Sequence, residues 1–138
     1  MSRSGYSDDC DNLALYRGAV ISAVRGKRGR ALLTELAASM DAMPVKELIA
    51  HELEANGAHC ALGVVGAKRG MDLHTLDPDD SETVARRFNV SETLAREIVY
   101  RNDEDGPGYG GAEETPAQRW TRMRQWVKEV LDNPKNAY

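Results

Sequence analysis

The segment from Asp77 to Asn102 constrains the fold more than any other part of the chain, because its residues specify two short helices and the turn between them. Pro78 indicates a helix start with Asp77 as its N-cap, since proline suits the first helical position and aspartate accepts hydrogen bonds from free amides. Asn89 tolerates the left-handed conformation that ends a helix abruptly. Ser91 is then a good N-cap, so the sequence predicts a helix, a short turn and a second helix.

Apolar residues recur at helical spacing in this segment. They occupy the positions that are buried in the helix-turn-helix of transcription regulators, namely Val84, Ala85, Phe88, Val90, Ala95 and Ile98. With Asn89 where the turn glycine of that motif usually lies, the segment resembles a helix-turn-helix, whose second helix enters the major groove of DNA. The resemblance implies Ser91, Glu92, Thr93 and Arg96 as DNA-reading residues. A purely structural pair of helices stays an open alternative.

Composition fits one globular domain without a membrane partner. The 138 residues are 41% apolar and 29% charged, which is ordinary for a folded protein. The formal net charge of −4 is opposite to the basic balance of a dedicated nucleic-acid binder, so such binding needs a local basic patch. Because Cys10 and Cys60 form neither a disulfide framework nor a zinc motif, and no leader or spanning run is present, we expect a cytoplasmic protein.

Periodicity and breakers predict the domain organisation. Residues 1–10 are short and polar and are expected to form a flexible N-terminus. A single helical domain is predicted over 11–132, interrupted at 103–114 by a mobile acidic loop that is rich in glycine. Residues 133–138 are expected to fray.

Helical spacing also places the individual helices. One helix is predicted from Asp11 to the stretch Arg25–Arg30, where two glycines break the periodicity, and the next from about Arg30 to Met43. The last helix is predicted from Thr115, because Thr115, Pro116 and Gln118 form a capping box with proline at the first position.

Residues 45–62 admit either a helix or a hairpin. Val45 and Leu48 fit a helical stripe, whereas Asn56-Gly57 is a strong signal for a two-residue hairpin turn. A hairpin around 49–62 would pair Glu54 with His59, and its inner face would hold His51, Leu53, Cys60 and Leu62. The predicted fold is therefore mainly α, a compact single-domain bundle of about five or six short helices, with one small hairpin as the open alternative.

No motif for catalysis, a metal or a cofactor is found. His51, His59 and Cys60 would not converge in the hairpin, and His74 is isolated, so the donors that a metal needs are lacking. The glycines of Cys60–Gly70 lack the ending of a phosphate loop and suit a short buried helix in close contact with another element. We expect no catalytic residues, no cofactor and no enzymatic activity.

Surface residues are the remaining candidates for function. Arg25, Lys27, Arg28 and Arg30 form the most basic stretch, which suits phosphate or an acidic protein partner but also suits a solvated interhelical turn. The aromatic and arginine residues Tyr109, Arg122 and Trp126 are candidate protein contacts, although a tryptophan can equally close the core.

Taken whole, the chain resembles small uncharacterised proteins carried by phages and prophages. The residues that carry this resemblance are RGKRGR at 25–30, HCALG at 59–63, REIVYRND at 96–103 and ETPAQRWTRMRQWV at 114–127. The resemblance implies a non-enzymatic protein that occupies a host protein or ribonucleoprotein surface, as anti-CRISPR and other host-takeover inhibitors do. The alternatives are a DNA-binding regulator that acts as a homodimer, and a virion or assembly component.

Overall fold

The structure is a computed structural model that describes residues 13–104 and 114–138. In these residues it is mainly helical, with six α-helices and one antiparallel hairpin in a single domain, as predicted. The elements in chain order are α1 (Leu13–Arg25), α2 (Lys27–Asp41), β1 (Glu54–Ala55), β2 (Ala58–His59), α3 (Ala61–Lys68), α4 (Ser81–Phe88), α5 (Glu92–Asp103) and α6 (Pro116–Asp132). Short 3-10 turns lie at Leu73–Thr75 and Pro134–Ala137. The predicted flexible N-terminus at 1–10, and the predicted loop except for its end residues, lie outside the described residues.

The junction of α1 and α2 is tighter than the sequence predicts. The second helix begins at Lys27 rather than near Arg30, so the basic stretch is the first turn of α2 and not a loop. Gly26 alone separates the helices, in an extended conformation with φ −68° and ψ 158°. Gly29, which the sequence suggests as a breaker, is buried, and a Cβ there would lie 2.0 Å from the Ala23 carbonyl oxygen and 2.9 Å from Leu94. Glycine at this position therefore allows α1, α2 and α5 to meet.

The helix pair of α4 and α5 has the predicted turn but a later start. The N-cap of α4 is Asp80, whose carboxylate accepts from the Thr83 amide at 3.2 Å, and not Asp77. Asn89 adopts the left-handed conformation, with φ 58° and ψ 49°, and ends α4 as predicted. The Ser91 hydroxyl accepts from the Leu94 amide at 3.2 Å and starts α5.

The hairpin between α2 and α3 resolves the ambiguity of residues 45–62. Asn56 and Gly57 both have positive φ, 53° and 82°, which is the geometry of the type I′ turn expected for Asn-Gly. Glu54 pairs with His59 in the predicted register. Of the residues predicted for the inner face of the hairpin, Leu53, Cys60 and Leu62 are buried.

His51 corrects one part of that prediction, because its side chain is 75% exposed rather than on the inner face. The backbone at His51 is left-handed, with φ 72°, so the alternation of a strand does not extend back to this residue. The Asp103 carboxylate accepts from the His51 amide at 3.1 Å.

Helix α3 is the short buried helix that its glycines predict, since residues 61–66 are all buried. A Cβ on Gly63 would lie 1.9 Å from the Leu53 carbonyl oxygen, and one on Gly66 would lie 2.7 Å from Leu73. Both glycines therefore allow neighbouring backbone or side chains to approach closely.

Helix α5 is the centre of the bundle and packs against α1, α3, α4 and α6. Each residue from Ser91 to Asp103 is buried or half-buried. Its fully buried members are Leu94, Ala95, Glu97, Ile98, Val99 and Asn102. Because α5 is surrounded by other helices, most of its side chains belong to the core rather than to the surface.

The C-terminal residues are docked in place of the frayed end expected at 133–138. Ala137 is fully buried, and its carbonyl accepts from the Trp126 indole at 3.4 Å and from Arg101. The Tyr138 ring lies 4.9 Å from the Arg17 guanidinium and 5.2 Å from that of Arg101. None of the helices in the described ranges combines the length and the apolar content that crossing a membrane requires.

Candidate functional site

Among the described residues, seven arginines form ion pairs with carboxylates, whereas Arg17, Arg25, Arg28, Arg30 and Arg87 form none. Six arginines outside the basic stretch and outside α4 form ion pairs with carboxylates: Arg69, Arg96, Arg101, Arg119, Arg122 and Arg124. In the part of the chain that the structure describes, no carboxylate pairs with Arg25, Lys27, Arg28, Arg30 or Arg87. All five of these side chains belong to exposed residues. We call these five residues the basic surface.

Two separate parts of the chain meet in the basic surface. The Arg28 side chain donates from Nη1 to the Asn89 Oδ1 atom at 3.4 Å, which connects the first turn of α2 with the turn between α4 and α5. Arg87 lies in the last turn of α4, two residues before Asn89. The cations at 25–30 are evident from the sequence, whereas the only signal for Arg87 in the sequence is its position beside the turn.

The helical face that carries Lys27 and Arg30 continues into a shallow, open depression that Thr34 and Glu35 also line. The Glu35 carboxylate is engaged by Arg69, with Nε and Nη2 donating at 2.9 Å and 2.6 Å. These hydrogen bonds hold the pKa of Glu35 below its ordinary value. Because Arg69 already neutralises Glu35, this carboxylate does not offset the charge of the basic surface.

Placement within α2 makes these cations electrostatically unfavourable. The N-terminal end of a helix carries a partial positive charge, so cations in the first turn are repelled. Lys27, Arg28 and Arg30 occupy that turn, and Gly26 provides no side-chain cap for its free amides. An anion at this surface would interact favourably with both the cations and the helix end.

The residues that the helix-turn-helix resemblance implies as DNA readers are half-buried, and Ser91, Glu92 and Arg96 make contacts within the protein. Ser91 caps α5, and Glu92 accepts from the Ser81 hydroxyl at 2.9 Å and pairs with Arg96 at 2.8 Å. Arg96 also donates to the Tyr16 hydroxyl at 2.9 Å. Thr93 is half-buried on the same turn. The turn thus has the local geometry of the motif, while its second helix is built into the core.

Among the candidate protein contacts, Trp126 is buried and Arg122 is half-buried. Trp126 is only 7% exposed and closes the core against the C-terminal turn. The Arg122 guanidinium pairs with Glu114 at 2.7 Å and donates to the carbonyls of Arg101 and Asn102. Both side chains make contacts with residues far away in the sequence, and such contacts cannot be predicted from the sequence alone. Tyr109 lies outside the described residues.

The histidines are distributed over several places. The Glu54 carboxylate lies 3.1 Å from His74 Nε2 and 3.5 Å from His59 Nε2, which ties the hairpin to the 3-10 turn at Leu73–Thr75. His51 lies 3.9 Å from Asp103 on the other side of the hairpin. Within residues 13–104 and 114–138, no group of three histidine, cysteine or acidic side chains has an arrangement suited to a metal ion.

Comparison with protein-family models, with curated proteins and with solved structures found no match to this chain.

Proposed function

We propose that this protein is a non-enzymatic binding protein of phage or mobile-element type. It acts in the cytoplasm of the bacterial host by occupying an anionic surface of a host protein or ribonucleoprotein, as an anti-CRISPR-like or host-takeover inhibitor does. The observation that carries this proposal is the basic surface, where five exposed cations form no ion pair with any carboxylate in residues 13–104 and 114–138, although the net charge of the chain is −4.

Rigid placement supports a binding role for these cations. The residues of the basic surface lie on α1, α2 and the end of α4, and the close crossing at Gly29 and the turn at Asn89 set the backbone positions from which these cations project. Other arginines of the chain serve internal pairs that hold α5, α6 and the C-terminal turn together. A cation cluster that has no acidic partner in the described part of the chain is available for an external anion.

The proposal is tested by capture from a bacterial lysate with charge-reversed protein. The double variant Lys27→Glu/Arg30→Glu should fail to recover the defined host component that the wild-type protein recovers. The control is Lys128→Glu/Lys135→Glu, which makes the same charge change on the exposed side of α6 and the C-terminal turn. If the Lys27/Arg30 variant is folded and still recovers the same component, the basic surface does not carry the function.

A DNA-binding regulator is the second candidate, and the left-handed Asn89 turn with the Ser91 cap favours it. The engagement of Arg96 with Glu92 and Tyr16 counts against it, because a reading helix needs free side chains on its outer face. A regulator would bind one duplex sequence far more tightly than others. A virion or assembly component would instead self-associate or enter particles.

A further inference from the structure

We infer that the basic surface binds the phosphodiester backbone of nucleic acid and does not read its sequence. This partner chemistry rests on the proposed function, because the same surface carries both. Under this inference, the anionic partner is the nucleic-acid strand itself, rather than a host protein or a ribonucleoprotein in general.

The chemical character of the surface favours nucleic acid over a protein partner. Stable protein interfaces have a core of aromatic and aliphatic side chains with few charges, whereas nucleic-acid interfaces are polar and strongly positive. Among the described residues, the large apolar side chains that are exposed are Leu15, Val45 and Tyr138, and none belongs to the basic surface. The neighbouring exposed residues on α2 are the small Ala31, Thr34 and Ala38.

The same observation disfavours a lipid surface. A helix that lies on a membrane needs an apolar face that can enter the lipid boundary next to its cations. The face of α2 next to Lys27 and Arg30 presents the exposed Ala31, Thr34 and Ala38 and the half-buried Glu35, and none of these is a large apolar side chain. Its cations therefore match a partner that is charged along its whole length and needs no apolar contact.

The spacing of the cations suits a row of phosphates. Lys27 and Arg30 are three residues apart on α2, a rise of about 4.5 Å, while phosphates along one strand of a duplex recur about every 3.4 Å of its axis. Neighbouring long side chains can therefore engage neighbouring phosphates. The hydrogen bond between Arg28 and Asn89 brings the end of α4, which carries Arg87, against the first turn of α2.

Sequence reading is disfavoured by the state of α5. Base recognition requires side chains that project into a groove, with hydrogen-bonding groups free for base edges. The first turn of α5 uses Ser91 as a cap and holds Glu92 and Arg96 in pairs with each other and with Ser81. Backbone contacts then remain as the source of affinity, and such contacts do not depend on sequence.

The experiment is a fluorescence-anisotropy titration of the full chain with labelled DNA duplexes and RNA hairpins of equal length, each in two shuffled sequences. We expect binding at low salt that is similar for the shuffled sequences. With about four phosphates neutralised, affinity should fall on the order of a hundredfold between about 50 mM and about 200 mM salt.

Matched variants connect the binding to this surface. Lys27→Ala/Arg30→Ala should weaken binding at least about tenfold at low salt and lower the salt slope by about two, because two phosphate contacts are lost. Lys128→Ala/Lys135→Ala removes the same charge from exposed residues of α6 and the C-terminal turn and should bind more tightly than the Lys27/Arg30 variant. Thermal melting of each variant shows whether it is folded.

Several outcomes would overturn the inference. These are no binding at low salt, a strong preference between shuffled sequences, or equal losses in the two double variants. Equal or tighter binding to poly-glutamate or to phosphatidylserine vesicles would also overturn it, because the surface would then select an acidic protein or a membrane.

The failures of the two proposals are distinguishable. If the wild-type protein captures a host protein through Lys27 and Arg30 after nuclease treatment but binds no nucleic acid, the function stands and the phosphate chemistry falls. If nucleic acid binds and no host component is captured, the phosphate chemistry stands and the host-surface function falls.

Discussion

The identity of a single residue matters most in this protein where two segments of the chain are in contact. Gly29 and Gly18 show the difference, since both are glycines inside helices, yet only one has a neighbour. A Cβ on Gly29 would overlap the Ala23 carbonyl, whereas a Cβ on Gly18 would meet no atom within 4 Å. A glycine inside a helix is a local weakness, so its tertiary surroundings decide whether it is needed.

We expect Gly29→Ala to lower the free energy of unfolding by about 1–3 kcal/mol, because the added methyl forces the crossing of α1 and α2 apart. Gly18→Ala should raise the free energy of unfolding by about 0.5–1 kcal/mol, because alanine is the better helix former at a site with open space. Urea denaturation of both variants is the measurement. Equal stability of Gly29→Ala and the wild-type protein would contradict the close crossing.

Helices α5 and α6 are held together by arginines that donate to backbone carbonyls and pair with a carboxylate. Arg119 and Arg122 of α6 donate to the Asn102 carbonyl at the end of α5, where helix carbonyls lack partners within the helix. Both also pair with Glu114, whose side chain is 8% exposed. One cluster therefore joins the end of α5 to the start of α6.

The Glu114 cluster should make stability depend on pH. Hydrogen bonding from Arg122 holds the pKa of Glu114 below its ordinary value of 4.5. A carboxyl group with a lowered pKa stabilises the folded state above its unfolded pKa, and this contribution is lost as the pH falls through the folded value. The wild-type protein should therefore lose stability below about pH 4.5, with Glu35 and Asp41 adding to the effect.

Glu114→Gln should lower the free energy of unfolding at neutral pH by about 1–3 kcal/mol, because Arg122 loses the anionic partner in a largely buried place. The difference from the wild-type protein should shrink as the pH falls below about 4.5. The control Asp132→Asn breaks the exposed pair with Lys128 and should change stability by less than about 1 kcal/mol. Urea denaturation over a pH series measures both, and a pH-independent difference would contradict the ion pair.

At the scale of the whole molecule, the C-terminal turn completes the core and leaves one basic face outside it. Glu97 is buried on α5 with 1% exposure, where it pairs with Arg101 at 3.0 Å. The Tyr138 hydroxyl bonds to Glu97, and burial together with that negative charge raises the pKa of Tyr138. The last residues of the chain therefore cover a charged pair that would otherwise face water between α1 and α6.

Deletion of residues 134–138 should lower the free energy of unfolding by about 2–4 kcal/mol, because it uncovers Glu97 and removes the Ala137 carbonyl that the Trp126 indole contacts. The fluorescence of the protein should shift to the red as Trp126 meets water. Lys135→Ala, which changes an exposed residue of the same turn, should alter stability by less than about 0.5 kcal/mol. A deletion variant with wild-type stability and fluorescence would show that the turn is not docked in solution.

Features that depend on neighbouring residues could be predicted from the sequence. The helix end at Asn89 and the capping box at Thr115 and Gln118 are confirmed, because each depends on backbone preferences within a few residues. The mainly helical class was predictable for the same reason, since apolar spacing is a local pattern. The hairpin has the register expected for an Asn56-Gly57 turn, but the sequence left a helix equally open for residues 45–62, and only the structure decided between them.

Which charged and aromatic side chains stay exposed became evident only once the helices were seen packed together. Arg122 and Arg30 look alike in the sequence, yet Arg122 is locked between α5 and Glu114 while Arg30 stands exposed without an acidic partner among the described residues. Trp126 is inside because the C-terminal turn folds back over it. Ion pairing and burial depend on residues that are far apart in the chain and meet only when the helices pack. A candidate binding surface can therefore be recognised only when the structure shows which cations are paired within the protein.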